Sequence, residues 1–374
     1  MFRVTLYMST KPKNNSLNSS RSRILDVVKA LAILWIAWYH VDQLILPKNQ
    51  EIFNFRTLAS LGFAGVNVFI LLSGFGLTLS MTKVYINHNN KYTNISWKRF
   101  FYRRLIRIYP LYIIAHILFF ITGALLGKYA DMPLDIGFLL SITGLRVFFP
   151  KYFWYGPDAF WFIGLIIQFY LLFPFLFWLL LKFKRAKFFL ITFIICAISR
   201  LICSELENHY VLMLGLASNR IAEFSLGMIL GYSTAIEKEP KLNNLSLKTK
   251  LIWITFLLSA LVGIFFYWQP ISFIRTISLD LLLATVFFNG LIIIALIVKN
   301  IPLLYVYLCF FGNISYSFYL FHSPPIRPIF SALKTYGINS FWLMIVIYFL
   351  IITLLSYAFS YLESLFLLSL KQQK

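Results

Sequence analysis

Cysteine is scarce: Cys196, Cys203 and Cys309 are the only three, they sit in or beside apolar runs, and their spacing suits neither a metal site nor a disulfide framework. They read as packing residues, and no metal is expected. Charge is scarce too. Only 13% of the 374 residues are charged, against 60% hydrophobic and 19% aromatic, and mean hydropathy is +0.78. A soluble core of this length cannot bury that much apolar surface, which leaves a polytopic membrane protein. No internal repeat and no Ser/Gly linker divides the chain, so no second soluble domain is expected. The first twenty residues lack an apolar segment and a small-residue cleavage site, so no cleaved signal peptide is expected there. Residues 1–23 read as a retained cytoplasmic tail and 24–370 as the membrane domain.

What is present is a series of apolar runs long enough to span about 30 Å of hydrocarbon. They fall near 24–46, 58–80, 105–127, 159–181, 186–203, 211–235, 250–268, 276–298, 303–322 and 340–366. The fold class is therefore all-α, a membrane bundle of about ten transmembrane helices in the cell inner (cytoplasmic) membrane. The run from Asp135 to Phe149 is short, interrupted by glycine and carries Arg146, which suits an interfacial or re-entrant piece. The net charge of +21 does not point to nucleic acid, because the bases cluster at the edges of apolar runs. Lys11, Lys13, Arg21 and Arg23 precede the first run, Lys98, Arg99, Arg103 and Arg104 precede the third, and Lys182, Lys184, Arg185 and Lys187 follow the fourth. Lys238, Lys241, Lys248 and Lys250 follow the sixth. All lie on one side of the bundle, which puts both termini in the cytoplasm.

Two sets of polar residues stand out inside this frame. Lys29 and His40 are separated by ten uncharged residues, "ALAILWIAWY". Eleven helical residues turn through about 1100° and rise about 16 Å, so the two share one face, Lys29 near the cytoplasmic end and His40 deep. Such a stripe suits a ligand with an anionic head and reactive chemistry further in; a lysine that snorkels and a histidine that bonds a neighbouring helix fit the spacing equally well. Arg104 and Arg107 lie at i, i+3 where the third run begins. Arginine pairs suit bidentate phosphate binding, and Arg107 lies too far into the apolar run for simple topological anchoring.

Six strings, in order, resemble the membrane-bound acyltransferase 3 family: "LDVVKALAILWIAWYH", "GVNVFILLSGFGLTLS", "YRRLIRIYPLYI", "FWFIGLIIQFYLLFPFL", "RIAEFSLGMILGY" and "ISYSFYLFHSPPI". The resemblance runs from Arg23 to Ile326. It implies transfer of an acyl group, typically acetyl, from cytosolic acetyl-CoA or another acyl-CoA to a hydroxyl of a cell-envelope or surface carbohydrate, free or lipid-linked. On that basis His40 is the general base or a transient acyl carrier, Lys29, Arg104 and Arg107 hold CoA phosphates, and Ser73 lines the site. Lys29 stands where the family has arginine. Ile166 and Ile167 precede Gln168 where some members carry an acidic pair, which resembles the branch without a fused esterase-like domain.

Three further residues have two readings each. Glu223 either orients a substrate hydroxyl or pairs with Arg220. His322, just before Pro324 and Pro325, either contacts the acceptor or bonds carbonyls freed by the prolines. Ser73 either lines the site or bonds back to its own helix. A secondary transporter for a sugar or lipid-linked substrate is the rival class, but carriers tend to show internal pseudo-symmetry and none is visible here.

Overall fold

The computed structural model describes residues 16–45, 55–125, 135–236 and 272–372. Its helices, in chain order, are α1 (Ser16–Ile45), α2 (Phe55–Ser60), α3 (Ala64–Asn87), α4 (Trp97–Leu125), α5 (Ile136–Thr143), α6 (Trp161–Ser204), α7 (His209–Gly215) and α8 (Ala217–Ile236). After the next described residue follow α9 (Ser272–Val298), α10 (Pro302–Asn313), α11 (Ser315–His322), α12 (Ile326–Thr335) and α13 (Phe341–Gln372). No strand occurs among the described residues, as an apolar setting demands of any chain that does not close a barrel.

Six stretches are long and apolar enough to cross a membrane, and α10 with α11, bent by 69°, makes a seventh. The protein is thus a multi-pass helical bundle. The expected count of ten differs for identifiable reasons. The fourth and fifth expected spans both lie in α6, whose helical geometry breaks at Lys184 (φ 62°), at the basic turn expected between them. The sixth corresponds to α7 and α8, and α8 carries the charged Arg220 and Glu223. The seventh, 250–268, the basic segment 238–250 and the tail 1–15 lie outside the described residues. α1 itself begins at Ser16, ahead of its apolar run.

The Asp135–Phe149 run folds as a compact cap. Asp135 accepts from the Gly137 amide at 2.8 Å to start α5, and Gly144 (φ 79°) ends it in a left-handed turn. Arg146, two residues on, is fully buried and donates to Ser141 Oγ (3.3 Å), Pro157 O (2.8 Å), Asp158 O (3.4 Å) and Tyr155 O. One guanidinium therefore fixes the loop that carries Trp154 and Asp158. His116 of α4 ties the cap to the bundle through Nε2 and Ser141 Oγ, 2.9 Å apart.

The most extensive helix pairing joins α3 to α8. In a membrane, helices associate by close packing, and small residues allow their backbones to meet. A Cβ on Gly227 would lie 1.9 Å from Leu71 O, and one on Gly74 would lie 2.1 Å from Phe224 O. Gly74, the centre of the Ser-Gly-Phe string, is thus a packing glycine. Gly227→Ala should destabilise the detergent-solubilised protein by about 1–3 kcal/mol, the usual range for overpacking, and so lower its unfolding midpoint. Gly76→Ala, which meets nothing within 4 Å, should not. Equal midpoints for the two variants would show that α3 and α8 do not meet this closely.

Candidate functional site

The bundle encloses two neighbouring cavities, of about 230 Å³ and 680 Å³. The smaller is the arginine cavity: Arg104 and Arg107 line it with Ser73, Tyr170, Ser315, Tyr316 and Tyr319, on otherwise apolar walls. The larger is the histidine chamber, lined by His40, Tyr39, Gln43, Asn67, Trp154, Asp158, Arg200, Arg220 and Asp280 among others. Ile36, Val66, Phe162 and Tyr319 line both. These four side chains are the partition between them.

In the arginine cavity, one helix turn sets the two guanidinium groups side by side. Arg104 lies over the rings of Phe100 and Tyr170, 5.4 and 5.7 Å from their centroids, and its buried Nε meets no acceptor among the described residues. Rings hold a guanidinium in place without using up its hydrogens. Arg107 is half exposed and stands 3.9 Å from Glu363 Oε1, a long, loose ion pair. The Ser73 hydroxyl donates to Phe69 O at 2.8 Å, so Ser73 both lines the cavity and bonds back to its own helix.

Lys29 lies elsewhere. Its ammonium pairs with Asp26 at 2.6 Å, one turn earlier, with the side chain 34% exposed, and it is not among the residues lining either cavity. It does share the stripe of α1 that carries Ile36 and His40, two turns toward the basic side from Ile36.

In the chamber, the His40 ring has His322 as a neighbour, with centroids 5.1 Å apart and planes tilted by 55°. His322 is fully buried at the end of α11. Its Nδ1 donates to Tyr319 O at 2.7 Å, and its own carbonyl accepts from the Tyr348 hydroxyl at 2.5 Å. A carbonyl partner fixes Nδ1 as the protonated nitrogen. That leaves Nε2 with its lone pair, buried and without a partner among the described residues. The bond to a helix-end carbonyl and the place beside His40 thus occur together.

Beside the histidines, four helices contribute to one ionic network. Asp280 of α9 accepts from Arg200 of α6 at 2.6 Å and stands 3.6 Å from Arg220 of α8. Arg220 Nε donates to Glu223 at 3.0 Å, and Asn67 of α3 donates to Asp280 Oδ1 at 3.2 Å. Glu223 therefore meets the chamber through Arg220. Arg200 and Asp280 are site residues that local sequence reasoning passed over; the signal available was an ionisable residue inside an apolar run, which by itself marks a position worth attention.

Gln168 braces the helix break behind the chamber. Its side-chain amide donates to Gly215 O at 2.7 Å and its oxygen accepts from the Ala217 amide at 3.1 Å, closing the α7–α8 break and capping the start of α8. Among the described residues, no three His, Cys, Asp or Glu side chains converge as metal ligands do.

No curated protein and no solved structure matches the chain at a significant level. The Acyltransferase domain of the family Acyl_transf_3 matches residues 23–361, nearly the whole bundle just described. The chain belongs to that family of membrane acyltransferases.

Proposed function

We propose that the protein moves an acyl group, an acetyl group in the simplest case, from cytosolic acyl-CoA to a hydroxyl of a cell-envelope or surface carbohydrate, working in the inner membrane. The observation that carries this is the pair of cavities: phosphate-binding chemistry in one, a histidine in the other, and a thin apolar partition between. Arg104 and Arg107 hold the CoA phosphates, with Arg104 presented on its aromatic rings. Lys29, paired with Asp26, stands on the same side beyond the cavity lining, and Ser73 lines the donor's path. The acceptor sugar enters the chamber, where Trp154 and Tyr210 supply flat surfaces and Asp280, Gln43 and Asn67 supply hydrogen-bonding groups. Glu223 acts by holding Arg220 in place.

The transfer balances as follows. The acceptor oxygen attacks the thioester carbonyl carbon while the neutral imidazole of His40 takes its proton. The C–O bond forms, the C–S bond breaks, and the CoA sulfur leaves with the electron pair and takes up the proton. His322, with Nδ1–H anchored and Nε2 open, orients the His40 ring through an intervening water that accepts the His40 N–H and donates its O–H to His322 Nε2.

Purified protein given radiolabelled acetyl-CoA should release free CoA thiol, and His40→Ala should cut that release at least about a hundredfold at unchanged membrane abundance. Retention of more than about a tenth of the rate would remove His40 from the base role.

The two arginines answer to a separate measurement. Arg104→Ala and Arg107→Ala should each weaken acetyl-CoA binding by about 1.5–3 kcal/mol, the range for hydrogen bonds to charged groups. Titration calorimetry on the purified variants reads this directly. Unchanged affinity in both would make them topological anchors only.

A further inference from the structure

The partition has a chemical consequence that depends on the acyl-transfer reading above. We propose that Ile36, Val66, Phe162 and Tyr319 form a constriction that selects the acyl group by length, passing a two-carbon group and rejecting longer chains.

The four side chains are the part of each cavity wall that faces the other. They come from four different helices, α1, α3, α6 and α11, so the gap closes from every side. Ile36 lies one turn before His40 on the same face of α1 and is 3% exposed. Whatever group passes the constriction therefore arrives beside the imidazole.

The aromatic half of the constriction is held rigidly. Phe162 and Tyr319 meet edge to face, with centroids 5.6 Å apart. The Tyr319 hydroxyl donates to Ala159 O, and the Tyr319 carbonyl accepts from His322 at 2.7 Å. A phenol fixed at its tip and a backbone fixed at its carbonyl leave little room to swing aside. Ile36 and Val66 face them with branched side chains that have few rotamers.

The chemistry requires only the acyl carbon to cross. CoA's phosphates and adenosine stay with Arg104 and Arg107, the acceptor hydroxyl stays with His40, and the thioester carbonyl bridges the partition. The acceptor oxygen bonds to that carbon, the C–S bond breaks, and the thiol leaves on the arginine side. An acetyl group adds one methyl beyond the reacting carbon; each further methylene must fit among four packed side chains. In a tight apolar site one methylene changes the rate about 10–200-fold.

The test uses membrane vesicles containing the full-length protein and its native envelope acceptor, supplied with radiolabelled acetyl-, propionyl- or butyryl-CoA. Free CoA thiol and label incorporated into the envelope fraction are read together. The parent protein should favour acetyl over butyryl at least about tenfold. Phe162→Ala and Ile36→Ala should each raise the butyryl-to-acetyl ratio about tenfold or more. If either variant fails to accumulate, Phe162→Leu and Val66→Ala open the same gap by less and should shift the ratio in the same direction. A ratio unchanged in every accumulated variant, with the parent active, overturns the constriction alone. A parent that releases thiol from none of the three donors overturns the acyltransferase reading along with it.

Discussion

Two arginines inside an apolar bundle must be neutralised where they stand, and Asp280 does most of that here. Its carboxylate takes Arg200 at 2.6 Å and faces Arg220 at 3.6 Å, while the Glu223 carboxyl accepts from Arg220 at 3.0 Å. Removing Asp280 would leave buried guanidinium charge uncompensated, which is far more costly than removing a matched pair. Because the four side chains and Asn67 come from α3, α6, α8 and α9, satisfying this local electrostatic demand also fixes how those helices sit. The chamber wall is one product of that constraint, and the close α3–α8 crossing at Gly74 and Gly227 lies along the same pair of helices.

The division of the interior into two cavities follows from ordinary packing. Arginines that need water or phosphate lie near the basic end of α4, and the histidines lie deep on α1 and α11. Between these levels the bundle is filled by Ile36, Val66, Phe162 and Tyr319, none of which has a charge to keep hydrated. A continuous polar channel would let water and ions through. Apolar side chains at this level give water and ions no polar groups to follow from one cavity to the other.

Much of this was legible in the chain and some was not, for physical reasons. Helical arithmetic is local, so it placed Arg104 beside Arg107, put Lys29 and His40 on one stripe, and paired Arg220 with Glu223. It had no means of saying where a stripe ends up: Lys29 meets Asp26, one turn away, outside the lining of either cavity. Asp280 lies eighty positions from Arg200, and no periodicity reports a pairing across that distance. The partition is legible nowhere in the sequence, since isoleucine, valine, phenylalanine and tyrosine at these positions look like any other core residues. His322 beside His40 depends on the 69° bend between α10 and α11, which aims a short helix at the chamber; the prolines after it announced a helix end but not its direction.

The short helix α11 has a mechanical consequence. Its last residue, His322, is a neighbour of His40, and three residues earlier Tyr319 closes the partition. One hydrogen bond, from His322 Nδ1 to the Tyr319 carbonyl, joins them. An eight-residue helix is about 12 Å long by the usual rise of about 1.5 Å per residue, too short to bend along its length. Holding the imidazole end holds the phenol end with it. The width of the passage and the posture of the histidine pair are thus one degree of freedom, set by the same two anchors at Ala159 and Tyr348.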